Sequence, residues 1–479
     1  MPLTTNLSST IELLHSVLPL NKSFDFISRR FRFGAKEAYL LSINGMCNLE
    51  LLQRVCTNLQ SSEESNTSIE TLKHYVEEHI GYAQVSLCSD LDNILLQILS
   101  GPSALFVDGY KEAIIIDMRS YPTRSISEPE YEHVTKGSKD GFVETMLFNA
   151  NLIRRRIRVP DLVFELQNIG SYSKTDLSIA YLDSLADSNL VLAVKDAIKK
   201  LDISALTMGS KSLQELLVPK KWYHPLPSIQ ITERPDVACS YLMEGYILLL
   251  VDNSPNVIIL PNNFFQFTQS PEDYNKTPAV GTYFRLVRFL CIPISLLLMP
   301  VFLLLTVHYP IFSQKIGLLQ DPYPPAATLL FYIFMVELIL DLFKYSTSQN
   351  SSKFSGSLSV VGGLIIGDVA VSLNWATTEV LFYAALTLLA SLSISSIEFA
   401  DGIRLFRYFL LLTTTIAGIY GFAIGILLIA VSTYTTPTFL GKKYMWPLLP
   451  LHAHSLKTLL FRSNTPNAQP TTSVANRQK

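Results

Sequence analysis

The pattern of hydrophobic and polar positions divides the chain into two parts. Up to about residue 284, apolar residues occur in short runs between polar turns, whereas beyond it they form long blocks. Short β-branched runs predict strands, apolar positions three and four apart predict amphipathic helices, and blocks of about 20 apolar residues can cross a membrane. The pattern therefore predicts a soluble α+β region followed by an all-α membrane domain of four or five helices.

The soluble part is long enough for two mixed α/β subdomains, residues 1–130 and residues 131–284, the latter including a linker. In the first, an opening amphipathic helix precedes a strand and a helix, and two apolar runs flank Asp108-Gly109, a hairpin signal because Gly tolerates positive φ. In the second, a helix follows Gly141. The further predicted elements are the strands Glu37–Asn44, Ala104–Val107, Ala113–Asp117, Leu162–Ile169, Thr175–Tyr181, Tyr246–Val251 and Val257–Leu260, and the helices Leu49–Leu59 and Asn189–Leu201.

The apolar blocks predict a membrane domain over residues 285–440, and a polar tail follows over 441–479 that is expected to be partly disordered. The first block contains Pro293 and Pro300, which predict kinks. The last contains a Gly-x-x-x-Gly spacing. Two membrane spans are predicted, Phe289–Tyr309 and Phe409–Thr433, and a hairpin is predicted over Leu358–Leu373 and Glu379–Ile394.

The block Pro324–Leu342 contains two carboxylates, Glu337 and Asp341, which are four residues apart and hence on one helical face. It can cross the membrane inside a bundle, or lie as a re-entrant or interfacial helix. Five crossings place Arg404 and Arg407 inside and the basic tail outside, whereas four crossings reverse both placements. Because the tail has more basic residues, the positive-inside rule favours four.

Residues 358–372 combine membrane-grade hydrophobicity with small residues and one carboxylate. Gly363 and Gly367 are one helical turn apart, so a neighbouring helix can approach closely. Asp368 at membrane depth costs about 2.5–3.5 kcal/mol unless it faces protein or water. It is a candidate pore or relay residue, or else a helix-end Asp at the interface. The candidates for helix packing are Gly362, Gly363, Gly367, Gly421 and Gly425.

Four arginines end the helix predicted after Gly141, where cations complement the helix dipole. They predict ion pairs with carboxylates between subunits or subdomains, or an anion site formed with Lys136 and Lys139. The alternative is a solvated face, since a pattern alone shows no partner, although planar guanidinium groups suit bidentate pairing. The interface candidates are Glu144, Arg154, Arg155, Arg156 and Arg158.

Composition narrows the function classes. The chain has 479 residues, of which 48% are hydrophobic and 16% charged, and its net charge of −2 gives no basis for a nucleic-acid partner. Five cysteines without a Cys-x-x-Cys motif are expected to be reduced and buried. The polar first residues predict no cleavable signal peptide, so the soluble part is expected on the cytoplasmic side.

Motifs for catalysis, cofactors and metals do not emerge from the sequence. It has no nucleotide-binding glycine loop, no zinc-protease motif and no nucleophile elbow, so no enzymatic activity and no cofactor are expected. His452-Ala453-His454 is interpreted as two interfacial histidines, because no acidic or Cys ligand accompanies them. The remaining hypotheses are a channel, a transporter, and a membrane-anchored scaffold or signal-transducing subunit.

A series of short blocks in order is similar to the GerA family of spore germination proteins, over most of the chain. One branch of that family is indicated by Glu244-Gly245, Val251 to Pro255, Val280 to Tyr283 and Tyr444 to Pro447. The sequence departs from the family pattern at Lys136 to Lys139 and at Lys344 to Ser357. The family-wide blocks are Gly141-Phe142-x-Glu144, Asn149, Arg154 to Arg156, Ser173 to Asp176, Glu233 to Val237, Pro271 to Tyr274 and Val361 to Gly367.

The resemblance implies a function. It implies a multi-pass protein of the inner spore membrane whose copies form a ring, with membrane helices lining an ion path that opens during germination. Because such a ring repeats the Asp368 carboxylate, the path is expected to favour monovalent cations. The resemblance also implies a small membrane-protein partner and other germination proteins. A transporter would usually show inverted repeats with broken helices, for which four or five unequal spans leave little room.

Overall fold

The computed structural model of the chain describes most of the residues. These are 3–33, 36–61, 70, 73–74, 77–78, 84–121, 132, 137–219, 221–309, 325–349, 371–372, 376–439 and 443–462. The chain divides into two compact units. The N-terminal unit contains the described residues of 1–219 and 229–262, and the helical unit contains those of 220–228 and 263–467.

The first half of the N-terminal unit is a five-stranded antiparallel sheet with the strand order β1-β2-β4-β5-β3. Helices α1 and α3 cover one face and α2 the other, so strands such as β4 are buried on both sides. The predicted opening helix, the second helix and the hairpin around Asp108 are confirmed. The elements are α1 (Leu7–Val17), β1 (Phe26–Phe33), β2 (Lys36–Ile43), α2 (Leu49–Ser61), β3 (Gln84–Cys88), α3 (Leu91–Leu99), β4 (Ser103–Val107) and β5 (Ala113–Asp117).

The second half contains another five-stranded antiparallel sheet, with the order β6-β7-β9-β10-β8. Helices α4 and α7 pack on one face through Ala150, Ile153 and Leu242. The predicted strands and helices of this part are confirmed, with ends that shift by one or two residues. The elements are α4 (Met146–Arg156), β6 (Leu162–Ile169), β7 (Thr175–Leu182), α5 (Ser188–Lys199), α6 (Ser210–Leu217), β8 (Gln230–Thr232), α7 (Pro235–Met243), β9 (Ile247–Val251) and β10 (Val257–Leu260).

The two halves share one topology. In each, a leading helix is followed by two paired strands, then helix, edge strand and helix, and finally two more paired strands. Helix α6 lies between α5 and β8, and the residues described between α2 and β3, at 70, 73–74 and 77–78, are helical as well. The equivalent turns make the same contact: Asp108 Oδ1 accepts from the Leu7 amide at 3.0 Å, and Asp252 Oδ1 accepts from the Met146 amide at 3.0 Å. In both halves a strand-turn carboxylate therefore holds the first amide of the leading helix, where the helix dipole favours negative charge.

A second contact repeats at the same turns. Gly109 donates its amide to the Thr5 carbonyl, and Asn253 donates to the Glu144 carbonyl, both at 2.8 Å. Both turn residues have positive φ, +88° and +61°, a conformation that Gly and Asn tolerate. The N-terminal unit is thus a structural duplication, and Glu144 lies at the entry to α4 beside the Asn253 turn.

Four of the five free cysteines, Cys47, Cys56, Cys239 and Cys291, are buried, and Cys88 is half-buried. Burial raises the pKa of Cys47 and Cys56, and it raises the pKa of Cys239 to about 12. Since the thiolate is the reactive form, the buried thiols of the N-terminal unit are expected to be inert toward oxidation and alkylation.

Within its described residues, the helical unit contains the α-helices α8 (Pro278–His308), α9 (Ala326–Gln349), α10 (Thr378–Leu392), α11 (Ile397–Tyr434) and α12 (Ala453–Leu460), preceded by two short 3-10 helices, Phe264–Thr268 and Pro271–Asp273. Among the described residues, α8 and α11 are long and apolar enough to cross a membrane. Helix α8 begins before the predicted span and includes both Pro293 and Pro300 within one helix. The predicted hairpin lies partly outside the described residues, since most of Leu358–Leu373 is not among them.

Helix α11 is broken at Gly418. This residue has φ +58° and ψ −133°, which is outside the helical region and is accessible to glycine alone. A Cβ on Gly421 would clash with the Thr413 carbonyl oxygen, and one on Gly425 would lie 2.6 Å from Leu410 Cδ1. In a continuous helix, residues 413 and 421 would be about 12 Å apart at 1.5 Å per residue. The second half of α11 therefore doubles back along the first.

The prediction of one span over Phe409–Thr433 is consequently wrong. The segment forms a hairpin of two antiparallel helices, 397–417 and 419–434, of about 31 Å and 24 Å at 1.5 Å per residue. Its Gly-x-x-x-Gly spacing serves the close approach of the two halves. The reason is local: Gly418 adopts a reversing backbone conformation that residues with a Cβ avoid, and the small residues that follow let the backbones touch.

The hairpin returns the tail to the end of the helical unit at which α8 and α11 begin. Ser432 Oγ donates to the Tyr223 carbonyl, and Gly402 lies against the Pro225 carbonyl. The Tyr444 carbonyl accepts from the Phe264 amide. The arginines near the start of α11 and the basic tail therefore share one end, which removes the conflict that the positive-inside rule met with four or five crossings.

This arrangement predicts which positions of the helical unit lie on the same side of the membrane. Cysteines introduced singly by Asn275→Cys and Lys443→Cys should react with an impermeant maleimide from the same side of sealed vesicles. Tyr309→Cys, at the C-terminal end of α8 where His308 lies against Gly418, should react from the opposite side. Labelling of the 275 and 443 positions from opposite sides would show that α11 crosses as one helix.

Candidate functional site

Charged side chains of α9 and α11 meet inside the helical unit and form what we term the ion-pair stripe. It consists of Glu337, Asp341 and Lys344 on α9, and Asp401, Arg404 and Arg407 on α11. On each helix the three positions are three or four residues apart, so they lie on one face. The pairs run in opposite sequence order, because α9 and α11 are antiparallel here.

The innermost pair joins Glu337 and Arg407. Arg407 Nη2 lies 2.5 Å from Glu337 Oε2, and the two side chains are 4% and 5% exposed. Arg407 Nη1 also donates to the backbone oxygen of Ser295 on α8 at 2.7 Å. One guanidinium thus connects three helices, and it does so where an uncompensated charge would be costly.

The stripe continues toward the end of the bundle with Asp341. Its Oδ1 lies 2.7 Å from Arg404 Nη1, and its Oδ2 accepts from the Tyr408 hydroxyl at 2.9 Å. Lys344 then pairs with Asp401 at 2.7 Å. Exposure rises along the stripe, from 5% for Glu337 to 31% for Asp341 and 48% for Asp401. The inner pairs therefore contribute most to holding the helices, since exposed pairs are worth about 0–1 kcal/mol.

The stripe is balanced in charge but not fully hydrogen-bonded. It holds three carboxylates and three cations, so it presents no net charge to an ion. Within the described part of the chain, Glu337 Oε1 and Arg407 Nε have no hydrogen-bond partner. A buried polar atom left unmatched costs about 1–3 kcal/mol. The ion pairs can hold the helices together. Because two buried polar atoms have no partner, the contact is less stable than one in which every polar atom is hydrogen-bonded.

The structure describes some of the site residues predicted for the membrane part and not others. Glu337 and Asp341 share one helical face, as predicted, whereas their pairing with Arg407 and Arg404 was not predicted. Two arginines three residues apart in an apolar helix are the signal that could have identified those partners. Gly421 and Gly425 lie in the α11 hairpin. Gly362, Gly363, Gly367 and Asp368 lie outside the described residues.

In the N-terminal unit, Arg154 is fully buried and binds Asp25 at 2.9 Å. Its two terminal nitrogens donate to the carbonyls of Val159 and Leu162 at 3.0 and 2.7 Å. Asp25 in turn accepts from the Ser23 hydroxyl at 2.6 Å. The pair joins the segment before β1 to the start of β6, and hence the first half of the duplication to the second.

The other arginines of that cluster differ in surroundings. Arg156 pairs with Asp140 at 2.5 Å and donates to the Ser138 hydroxyl. Arg155 lies over the Tyr121 ring, 4.9 Å from its centroid. Arg158 is exposed and donates to the Arg155 carbonyl at 3.1 Å. The cluster is therefore neither a uniform solvated face nor a uniform set of carboxylate pairs.

Two further charge clusters escaped the sequence reasoning. Arg234, fully buried at the start of α7, binds Asp236 at 2.8 Å and the carbonyls of Glu132 and Ser138. In the helical unit, Asp273 accepts from two arginines of α8, at 3.3 Å from Arg285 and 2.9 Å from Arg288. The sequence signal for the second is Pro271 to Tyr274, which is interpreted from the sequence as the start of a linker and as a family block, without any prediction of its arginine partners.

The family profile described as the Bacillus/Clostridium GerA spore germination protein matches residues 16–473, which is most of the chain. The chain belongs to the GerA family. It is therefore a membrane protein of the spore germination proteins, a family not known for enzymes, and the resemblance seen in the sequence is confirmed.

Individual proteins of the family are also similar to this chain. It is 33% identical to stage V sporulation protein AF of Bacillus subtilis over 94% of this chain and 91% of that protein. It is 28% identical to spore germination protein B1 of Bacillus subtilis, over 97% of this chain and 96% of that protein. A crystal structure of the N-terminal domain of the A subunit of the Bacillus megaterium spore germinant receptor GerK3 covers 54% of this chain and 96% of that domain, with 25% identity and a TM-score of 0.41.

Proposed function

We propose that the protein is a membrane subunit of a spore germination complex, and that copies of it form a ring conducting monovalent cations across the inner spore membrane. The observation that supports a bundle able to open is the ion-pair stripe, whereas conduction itself is assigned to the apolar block around Asp368. Charged residues at membrane depth are costly and mark ion pathways or elements that move. A purely passive anchor would need neither the buried Glu337–Arg407 pair nor a bundle held together by charges.

Within this proposal the stripe is a latch between helices rather than the ion pathway. Arginines neutralise both Glu337 and Asp341, and rings of carboxylates select cations only when their charge is available. Asp368, beside Gly367 in an apolar block, is the carboxylate that we assign to the pore wall. A ring of subunits repeats it once per copy and attracts cations.

The latch gives the channel a means of opening. The unmatched atoms Glu337 Oε1 and Arg407 Nε lower the stability of the closed contact between α9 and α11. A small shift of α9 would separate the pairs in sequence, starting at the more exposed Lys344–Asp401 end. A small membrane protein or another germination protein bound nearby could supply the free energy for that shift.

The test is electrical current across a planar bilayer holding the purified full-length protein, alone and with a small membrane-protein partner. A channel should give discrete conductance steps in potassium chloride, and its flux should not saturate with ion concentration as the flux of a carrier does. No current with all partners present would support the alternative, a non-conducting scaffold or signal-transducing subunit. Solute-coupled, saturating flux would support a transporter.

A further inference from the structure

The segment 221–228 lies between α6 and β8 in sequence, yet it belongs to the helical unit. Its backbone is attached to the end of α11: the Tyr223 carbonyl accepts from Ser432 Oγ at 2.8 Å, and His224 Nδ1 lies 3.2 Å from the Ser432 carbonyl. Pro227 accepts from the Tyr444 hydroxyl at 2.9 Å. The segment is thus fixed to the end of an apolar helix hairpin.

The tip of this segment is aromatic and basic. Trp222 is 93% exposed and Tyr223 is 44% exposed, and their rings meet edge to face at 5.8 Å. The Lys221 ammonium lies 5.7 Å from the Tyr223 ring. So exposed a tryptophan is unusual in a segment held by hydrogen bonds, because the tryptophan ring is highly buried on average.

The surroundings of the tip are of the same kind. On α11, Val431 and Tyr434 are 51% and 56% exposed, and they adjoin the Ser432 attachment. At the same end of the helical unit, the residues after Tyr444 expose Leu449 and Leu451, at 48% and 69%. This combination is typical of protein surfaces at the membrane–water interface, where aromatic rings with a polar edge lie beside aliphatic side chains and lysines.

We propose that the tip of this segment, Lys221 to Tyr223, inserts into the lipid headgroup region and anchors the N-terminal end of the helical unit at a fixed depth. Trp222 and Tyr223 then lie at the level of the headgroups and the first methylenes, and Lys221 extends to lipid phosphates. The occupant of this surface is the bilayer, because the exposed apolar side chains continue directly onto the apolar faces of α11. This inference does not depend on conduction.

The test uses the fluorescence of Trp222 in the full-length chain. Replacing the other tryptophans, by Trp375→Phe and Trp446→Phe, leaves Trp222 as the one emitter. In vesicles of mixed neutral and anionic lipid, its emission should shift to shorter wavelength than in water and be protected from acrylamide. Lipids brominated near the glycerol end of the acyl chain should quench it at least twofold more than lipids brominated near the methyl end.

Two results would overturn the proposal. Long-wavelength emission with full acrylamide quenching would place Trp222 in water. Short-wavelength, protected emission without quenching by any brominated lipid would place it against protein, such as a second copy of the chain. If the double replacement fails to fold, a nitroxide attached at Trp222→Cys gives the same answer. Oxygen should then broaden its spectrum more than a water-soluble nickel complex, and the reverse would contradict insertion.

Discussion

Arg154→Ala is expected to destabilise the N-terminal unit by about 3–5 kcal/mol, because it leaves Asp25 charged, buried and unpaired. The lost contacts to the Val159 and Leu162 carbonyls add to this cost. Hydrogen exchange of the full-length protein, followed at the amides of β1 and β6, measures the effect. Protection in both strands should fall, since the pair joins the segments that lead into them.

The neighbouring Arg155→Ala provides the matched control. Arg155 stacks on Tyr121 at the surface and should cost at most about 1 kcal/mol. The double variant Asp25→Asn with Arg154→Met should recover much of the loss, because it leaves no buried charge unpaired. Equal protection in the Arg154 and Arg155 variants would show that the buried pair does not hold the two halves together.

Arg407→Ala is expected to weaken the helical unit by a similar amount, about 3–5 kcal/mol, because Glu337 then remains charged among apolar helices. The contact of Arg407 with Ser295 on α8 is lost as well. The rate at which Cys291, buried in α8, reacts with a maleimide on warming reports the opening of this bundle. Mass spectrometry of the labelled peptide separates Cys291 from the other thiols.

The control for this variant is Lys344→Ala at the exposed end of the stripe. Its pair with Asp401 is 31% and 48% exposed and should be worth about 0–1 kcal/mol. Glu337→Gln combined with Arg407→Gln should be more stable than Arg407→Ala alone. A Cys291 reaction rate in Arg407→Ala equal to that of the unchanged protein would contradict the role of the stripe as the contact that holds α8, α9 and α11.

Much of the N-terminal unit could be predicted because its signals are local. The Asp108-Gly109 hairpin follows from two residues that favour its turn, and α1 follows from its apolar spacing. The edge strand β1, with its arginines, was not recognised. Nor was the duplication, because equivalent positions carry different residues: Gly109 in one half corresponds to Asn253 in the other.

The helical unit was harder to predict because its decisive features are tertiary. Glu337 and Asp341 could be placed on one face, but the sequence does not show which arginines reach them. Gly418 lies in an apolar run in which a glycine that reverses the chain cannot be told from one that packs helices. Hydropathy therefore predicted one span where the chain forms a hairpin.

The zero-current potential across a planar bilayer with a potassium chloride gradient tests the channel proposal most directly. The unchanged protein should give a zero-current potential near the potassium equilibrium potential, as a cation-selective pore does. In Asp368→Asn this potential should move towards zero while the oligomer persists, because the carboxylate ring is removed. Asp196→Asn, which removes an exposed carboxylate of α5, is the matched control and should leave it unchanged. A potential that is the same in Asp368→Asn and in the unchanged protein would contradict the assignment of Asp368 to the pore wall.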